Sequence, residues 1–170
     1  MPHDGLPPLR EVIASHGLSA RKSHGQHFLL DMNITRKIVR AAAIESAHTV
    51  IEIGPGPGGL TRALLESQAC EVQAVEKDAR FLEALTPLAM ASDGRLQLHH
   101  ADALQTPLDG LGQAPRLVVA NLPYNVGTPI LVNLLMKRLA FERLVLMFQK
   151  EVAMRLAASP GSGAYGRLSV

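Results

Sequence analysis

The run Asn121-Leu122-Pro123-Tyr124 carries the most specific chemical signal in this 170-residue chain. It closes a short apolar, β-branched stretch and is therefore placed at the end of a strand. An aromatic amine is a poor nucleophile because its lone pair is delocalised into the ring. A site that methylates it must accept hydrogen bonds from its N–H groups and draw the nitrogen toward tetrahedral geometry. The Asn121 side-chain carbonyl and a main-chain carbonyl at Leu122 or Pro123 are suitable acceptors, and Tyr124 offers a ring for a base to stack on. No strong general base is needed if the methyl donor is a sulfonium, because holding the reacting atoms roughly 3–3.5 Å apart does most of the work. The bland alternative is a proline turn carrying a surface tyrosine.

Three other strand ends carry polar groups. Glu52-Ile53-Gly54-Pro55-Gly56-Pro57-Gly58-Gly59 is a glycine-rich turn, which lets backbone approach a ligand closely. Such a turn alone fits both dinucleotide enzymes and simple tight turns. It contains the GxGxG spacing at 54, 56 and 58, and the acidic Glu52 stands where a nicotinamide fingerprint carries an apolar residue. Glu76 follows at the next strand end, where a carboxylate can accept both hydroxyls of a ribose. Asp102 follows the third strand and can take the exocyclic amine of an adenine. Either acid alone reads as a solvated strand end; two in succession behind a glycine-rich first turn read as a nucleoside site.

Five short apolar runs are the elements that must position these groups: residues 48–53, 71–76, 95–100, 116–121 and 143–148. Helical patterns separate them at 60–68, 78–90 and 128–139, the last with Thr128 as N-cap and Pro129 in the first helical position. A short helix is expected over 9–16. Another begins at Asp31 as N-cap and runs to about 44, with Ile34, Ile38, Ala41 and Ala42 on its buried face. Residues 101–115 read as an irregular crossover and 149–158 as a helix. The stretch 159–164 reads as a mobile lid or a plain connector. Strands alternating with helices imply an α/β fold, a parallel sheet with helices on both faces.

Composition narrows the classes. With 47% hydrophobic and 19% charged residues, a chain of this length can bury a core and is not a disordered one. No apolar run approaches the ~20 residues of a membrane helix, and no signal sequence opens the chain, so a cytoplasmic protein is expected. Cys70 alone excludes a disulfide framework and is read as core-facing or incidental. Metal binding is not expected, since the adjacent His99 and His100 of a strand point to opposite faces. The net charge of +2 conceals an asymmetry. Residues 1–40 hold six basic and three acidic side chains, residues 41–136 five and ten, and residues 137–170 six and two. An acidic middle between basic flanks suits a catalytic sheet with a polyanion-binding rim, or is a chance distribution over solvated faces.

Taken together, the motifs resemble those of the small-subunit ribosomal RNA adenine N6-dimethyltransferase family, related to the erythromycin-resistance methyltransferases. The resemblance rests on Arg21-Lys22-Ser23-His24-Gly25-Gln26-His27-Phe28-Leu29 with Asp31, on residues 52–61, and on Glu76, Asp102 and Asn121-Leu122-Pro123-Tyr124. It continues through Gln149-Lys150-Glu151-Val152 to Tyr165-Gly166-Arg167-Leu168-Ser169-Val170. It implies a Rossmann-like class I methyltransferase fold with S-adenosylmethionine as cofactor. The implied substrate is two adjacent adenines of a small-subunit rRNA hairpin, and the implied partner the 30S pre-ribosomal particle. Carried over by position, His27 and Leu29 line the cofactor site, with Gly54 and Gly56 under its methionine part. Glu76 holds the ribose, Asp102 holds the adenine, and Asn121 faces both cofactor and target amine. Arg21 and Lys22 are better placed for RNA phosphates, and a monomer is expected.

Two departures accompany the resemblance. His27 stands where the family usually has Asn, and a neutral imidazole replaces one of that side chain's hydrogen bonds but not both. Relatives also continue with further strands and a small helical RNA-binding domain. The chain is therefore expected to be a fragment, with a tail and short helix at 1–18 and an incomplete catalytic domain at 19–170. Three rivals remain at this level: a large-subunit, resistance-type methyltransferase, a nicotinamide-dependent oxidoreductase, and a non-catalytic RNA-binding assembly factor.

Overall fold

The computed structural model describes residues 5–19, 28–137 and 140–170. At its centre lies a five-stranded parallel sheet of β1 (Thr49–Ile53), β2 (Glu71–Glu76), β3 (Leu96–His100), β4 (Arg116–Asn121) and β5 (Arg143–Met147). The strands lie in the order β3-β2-β1-β4-β5. Helices α1 (Leu9–Ser15), α2 (Met32–Ala41), α3 (Gly59–Leu65), α4 (Ala79–Met90), α5 (Gly127–Met136) and α6 (Lys150–Leu156) complete the fold. The chain winds outward from β1 to β3, then crosses back to β4. The order thus reverses between β1 and β4, and there the carboxyl ends of the strands open a crevice.

The central strands are apolar on both faces because helices cover both. Val50, Val72 and Val119 pack toward Leu64, Leu85 and Leu88, while Ile51, Val118 and Ala120 pack toward Ile130 and Leu134. Neighbouring residues alternate between the two clusters with the period of an extended strand. Each fully buried Leu, Ile or Val contributes about 1.5–3 kcal/mol. One residue breaks the apolar pattern: Glu52, registered against Ala74 and Val119, is 1% exposed. All five residues of β5 are only half-buried, since β4 is its one strand neighbour in the sheet.

Strand bounds agree with the periodicity to within one residue, and helix placement differs in instructive ways. Asp31 caps α2 by accepting the N–H of Asn33 at 2.8 Å. Its inner face, however, is Thr35, Ile38, Val39 and Ala42, leaving Ile34 and Ala41 outside. Thr35 is tolerated at full burial because its hydroxyl donates to the Met32 carbonyl at 3.1 Å. Thr128 does not cap α5, which begins at Gly127 after Val126. The turn from Pro123 leads straight into that helix, and Pro129 still falls in its first turn, where N–H groups lack intrahelical partners anyway. The last described helical residue is Met136, and Leu139 lies outside the described residues. Helix α3 ends at Leu65, three residues before the periodicity does, where the Ser67 hydroxyl donates to the Leu64 carbonyl. Cys70 is exposed rather than core-facing, its thiol donating to the His48 carbonyl at 3.2 Å. Among the described residues, no helix is long and apolar enough to cross a membrane.

Candidate active site

The glycine-rich turn leaves β1 with Gly54, Gly56 and Gly58 all at positive φ, +67°, +54° and +96°. L side chains avoid that region, so these glycines are what allow the loop to curl over the crevice. The Gly54 N–H still donates to the Val75 carbonyl at 2.9 Å, which extends the sheet by one bond before the loop departs. Glu76, at the end of β2, then ties the loop down. One carboxylate oxygen accepts the Gly56 N–H at 3.2 Å and the other the Asp78 N–H at 2.9 Å. Burial pushes the Glu76 carboxyl above its ordinary pKa. The N–H groups of Asp78, Gly56 and Lys77 oppose that rise, and the charge of Asp78 adds to it.

Asp102, just past β3, accepts the Leu104 N–H at 3.0 Å and pairs with the Lys77 ammonium at 2.7 Å. These two partners, Lys77 first, hold its carboxyl below the usual range. Lys77 is 75% exposed, so the pair contributes at most about 1 kcal/mol, and its effect is orientation. Glu76, Lys77, Asp102, Ala103 and Val126 line a cavity of about 660 Å³, a size within the roughly 300–1,000 Å³ of small-molecule sites. A narrower cavity of about 80 Å³ adjoins it, lined by Phe28, Leu29, Glu52, Asn121, Leu122 and Tyr124. The two share Gly54, Glu76 and Pro123.

Asn121 is the last residue of β4, registered against Met147, and half-buried. The turn behind it separates the two carbonyls that the sequence left as alternatives. The Pro123 carbonyl accepts the N–H groups of Val126 and Gly127 at 3.2 and 3.0 Å, and so is spent on entering α5. Among the described residues the Leu122 carbonyl accepts no hydrogen bond. The Leu122 side chain is buried beside Ile130, and Tyr124 stands 43% exposed at the cavity rim. The fold thus gathers Leu29, Gly54, Gly56, Glu76, Asp102, Asn121, Leu122, Pro123 and Tyr124 around two joined cavities. Arg21, Lys22 and His27 lie outside the described residues. His99 and His100 diverge, one ring meeting the Gln73 amide oxygen and the other the Lys77 carbonyl.

Four residues at the site were given no role there by the sequence reading. Lys77 is signalled only by following Glu76. Phe28 and Phe81 stack edge to face, ring centroids 5.7 Å apart, where the segment before α2 meets α4. Glu52 had served only to distinguish the turn from a nicotinamide fingerprint, although an acid inside a buried strand is itself a signal. Among the described residues neither of its oxygens makes a well-formed hydrogen bond, and the Thr61 hydroxyl, close enough to lower its pKa, makes none either. Burial pushes the Glu52 carboxyl up to about 8, Thr61 pulls it down, and the charge of Glu76 raises it further. At neutral pH Glu52 is therefore mostly the uncharged acid.

This has a consequence for stability. Between the ordinary carboxylate pKa and about 8, the folded chain holds a proton on Glu52 that the unfolded chain has released. Stability of the unliganded protein should therefore fall as pH rises across that window, by up to ~1.4 kcal/mol per pH unit. Glu76 acts in the same direction. Urea unfolding at pH 5.5, 6.5 and 7.5 should show the decline, and Glu52→Gln should flatten it. An equal slope in that variant would remove Glu52 as the cause.

The profile of the ribosomal RNA adenine dimethylase family matches residues 17–170. The ribosomal RNA small subunit methyltransferase A of Rhodospirillum rubrum is 59% identical over 169 residues, 99% of this chain and 59% of the relative. Its namesake from Paramagnetospirillum magneticum is 59% identical over 165 residues. The chain spans about three fifths of the length of these relatives. Among solved structures, a dimethyladenosine transferase from Plasmodium falciparum superposes with a TM-score of 0.74 at 34% identity, covering 85% of this chain and 51% of that one. The 23S rRNA methyltransferase ErmE superposes with a TM-score of 0.66 at 26% identity, covering 83% and 53%.

Proposed function

The chain belongs to the ribosomal RNA adenine dimethylase family, and from that membership we propose that the protein dimethylates rRNA adenines with S-adenosylmethionine. The target is the N6 amines of two adjacent adenines in a hairpin loop near the 3′ end of small-subunit rRNA, in the cytoplasmic 30S pre-ribosomal particle. The observation that carries this reading is the placement of Asn121-Leu122-Pro123-Tyr124 directly across the crevice from the glycine-rich loop, with the two cavities meeting at Gly54 and Pro123.

The residues present suit the cofactor. The Glu76 carboxylate takes the N–H groups of Asp78, Gly56 and Lys77, and of its about four lone-pair sites one is left for a ribose hydroxyl. Asp102 is ionised, oriented by Lys77, and on the wall of the larger cavity, where an adenine amine can reach it. Leu29, Gly54 and Gly56 line the adjoining space, and His27, outside the described residues, is assigned there by the family resemblance alone. When bound, the cofactor supplies an electrophilic sulfonium methyl group. The chain supplies position. The Asn121 side-chain oxygen and the Leu122 carbonyl accept the two N–H bonds of the target amine, and Tyr124 stacks on its ring. The amine proton is lost to solvent. Unstacking the base costs a few kcal/mol, which favours loop adenines over paired ones, and Arg21 and Lys22 meet the RNA backbone.

Incubating the protein with isolated 30S and 50S particles and labelled S-adenosylmethionine tests the assignment. Label should enter adjacent adenines of the 30S rRNA. Label confined to 50S particles would instead assign the resistance-type activity named for ErmE.

A further inference from the structure

Gly127 opens α5, is buried, and has an ordinary backbone conformation that needs none of glycine's freedom. Glycine is a poor helix former, so its presence there calls for another reason. That reason is an aromatic ring. A Cβ on Gly127 would lie 3.1 and 3.4 Å from the Cε1 and Cδ1 atoms of Phe148, and 3.6 Å from the Cβ of Leu122. The ring thus meets both ends of the turn that runs from Leu122 to Gly127. We propose that Phe148 is a positioning residue for methyl transfer: its ring braces this turn and fixes where the Leu122 carbonyl and the Asn121 side chain stand relative to the target amine. The inference rests on the proposed methylation of an adenine amine.

Sheet geometry puts the ring there. Asn121 is registered against Met147, so the next residues along these two parallel strands, Leu122 and Phe148, lie side by side. Side chains alternate along a strand, and Leu144, Leu146 and Phe148 join the same apolar cluster as Val118, Ala120 and Leu122. Phe148 carries that face one residue beyond the last ladder pair, against the first turn of α5. Its link to the acceptors is short. The Gly127 N–H donates to the Pro123 carbonyl at 3.0 Å, and the Val126 N–H to the same oxygen at 3.2 Å. Displacing Gly127 therefore moves Pro123, and through one planar peptide unit the Leu122 carbonyl. Phe148 lines neither of the joined cavities, so it acts through these neighbours. Glu76 and Asp102, assigned to the nucleoside, stand at the ends of β2 and β3, beyond β1 in the sheet. The ring's effect therefore falls on the chemical step rather than on cofactor affinity, and a misplacement of about 1 Å costs on the order of 100-fold in rate.

Single-turnover methylation of 30S particles, measured well below the melting temperature and beside calorimetry with S-adenosylhomocysteine, tests this. Phe148→Leu keeps an apolar side chain but withdraws the ring edge from Gly127. Its rate should fall by about 10- to 100-fold, with affinity for S-adenosylhomocysteine within about threefold of wild type. Gly127→Ala presses on the ring from the other side and should slow the step by a similar factor. In the Phe148→Leu background the added methyl group fills space the ring has left, so there Gly127→Ala should speed the step instead. Such a reversal of sign marks two neighbours acting on one position. A Phe148→Leu protein with a lowered melting temperature but a rate within about twofold of wild type would overturn the inference and leave the functional reading standing. So would equal slowing by Gly127→Ala in both backgrounds, or an affinity for S-adenosylhomocysteine that falls as far as the rate. No methylation of either ribosomal subunit by the wild type would overturn the functional reading and this inference with it.

Discussion

Asn121→Ala should lower methyl transfer to small-subunit rRNA by at least ~100-fold while leaving the fold intact, the loss typical of removing one positioned transition-state hydrogen bond. The reason is local. The Asn121 backbone belongs to the ladder between β4 and β5, which the substitution does not disturb. On the proposed reading its side-chain oxygen is one of two acceptors for the target amine. The other, the Leu122 carbonyl, stays in place, so base binding should weaken less than turnover. Single-turnover rates on 30S particles, read beside a thermal melt, separate the two effects. Activity within a few-fold of wild type, with the melt unchanged, would remove Asn121 from the chemistry and return the non-catalytic assembly factor to consideration.

Gly59→Ala should be the most disruptive single methyl group near the site. Gly59 opens α3 at an ordinary backbone conformation, so strain is not the issue. A Cβ there would overlap the Leu29 carbonyl oxygen and lie 3.2 Å from Leu9. Alanine's better helix propensity offers at most about 1 kcal/mol in return. Overpacking costs roughly 1–3 kcal/mol where side chains can adjust, and here the obstacle is backbone, so the clash prevails. The segment carrying Phe28 and Leu29 must shift away from the narrower cavity, and affinity for S-adenosylhomocysteine should fall by tenfold or more along with a lowered melting temperature. Gly163→Ala, with open space around its Cβ, is the matched control and should change neither. A normal melt and normal affinity in Gly59→Ala would show that the Leu29 segment does not depend on this close approach.

Much of this was legible in one dimension. Alternating apolar runs with β-branched residues place the five strands to within a residue, because a strand buried on both faces tolerates little else. Asp31 caps its helix as its residue type foretells. Helix faces were less legible. Ile34 is apolar by type yet lies outside, while Thr35 lies inside, because the hydroxyl finds a carbonyl one turn back. Thr128 has the type of a cap but not its place, since the turn from Pro123 had already started the helix.

The chemical roles divide along the same line. Residue type and order along the chain were enough to find the glycine-rich turn and to propose the acceptors and the ribose and adenine acids, because each depends on what one side chain or one φ angle can do at a strand end. Packing had to engage the Pro123 carbonyl while leaving that of Leu122 open among the described residues, join Glu76 to Gly56 and Lys77 to Asp102, and bury Glu52 in the central strand. Those are relations between groups distant in sequence. A hydrogen bond already spent, or an acid buried until it holds its proton, exists only once the strands have been laid side by side in the order 3-2-1-4-5. Local chemistry set the parts list of the site; the burial and pairing that tune each part arose when the sheet closed around them.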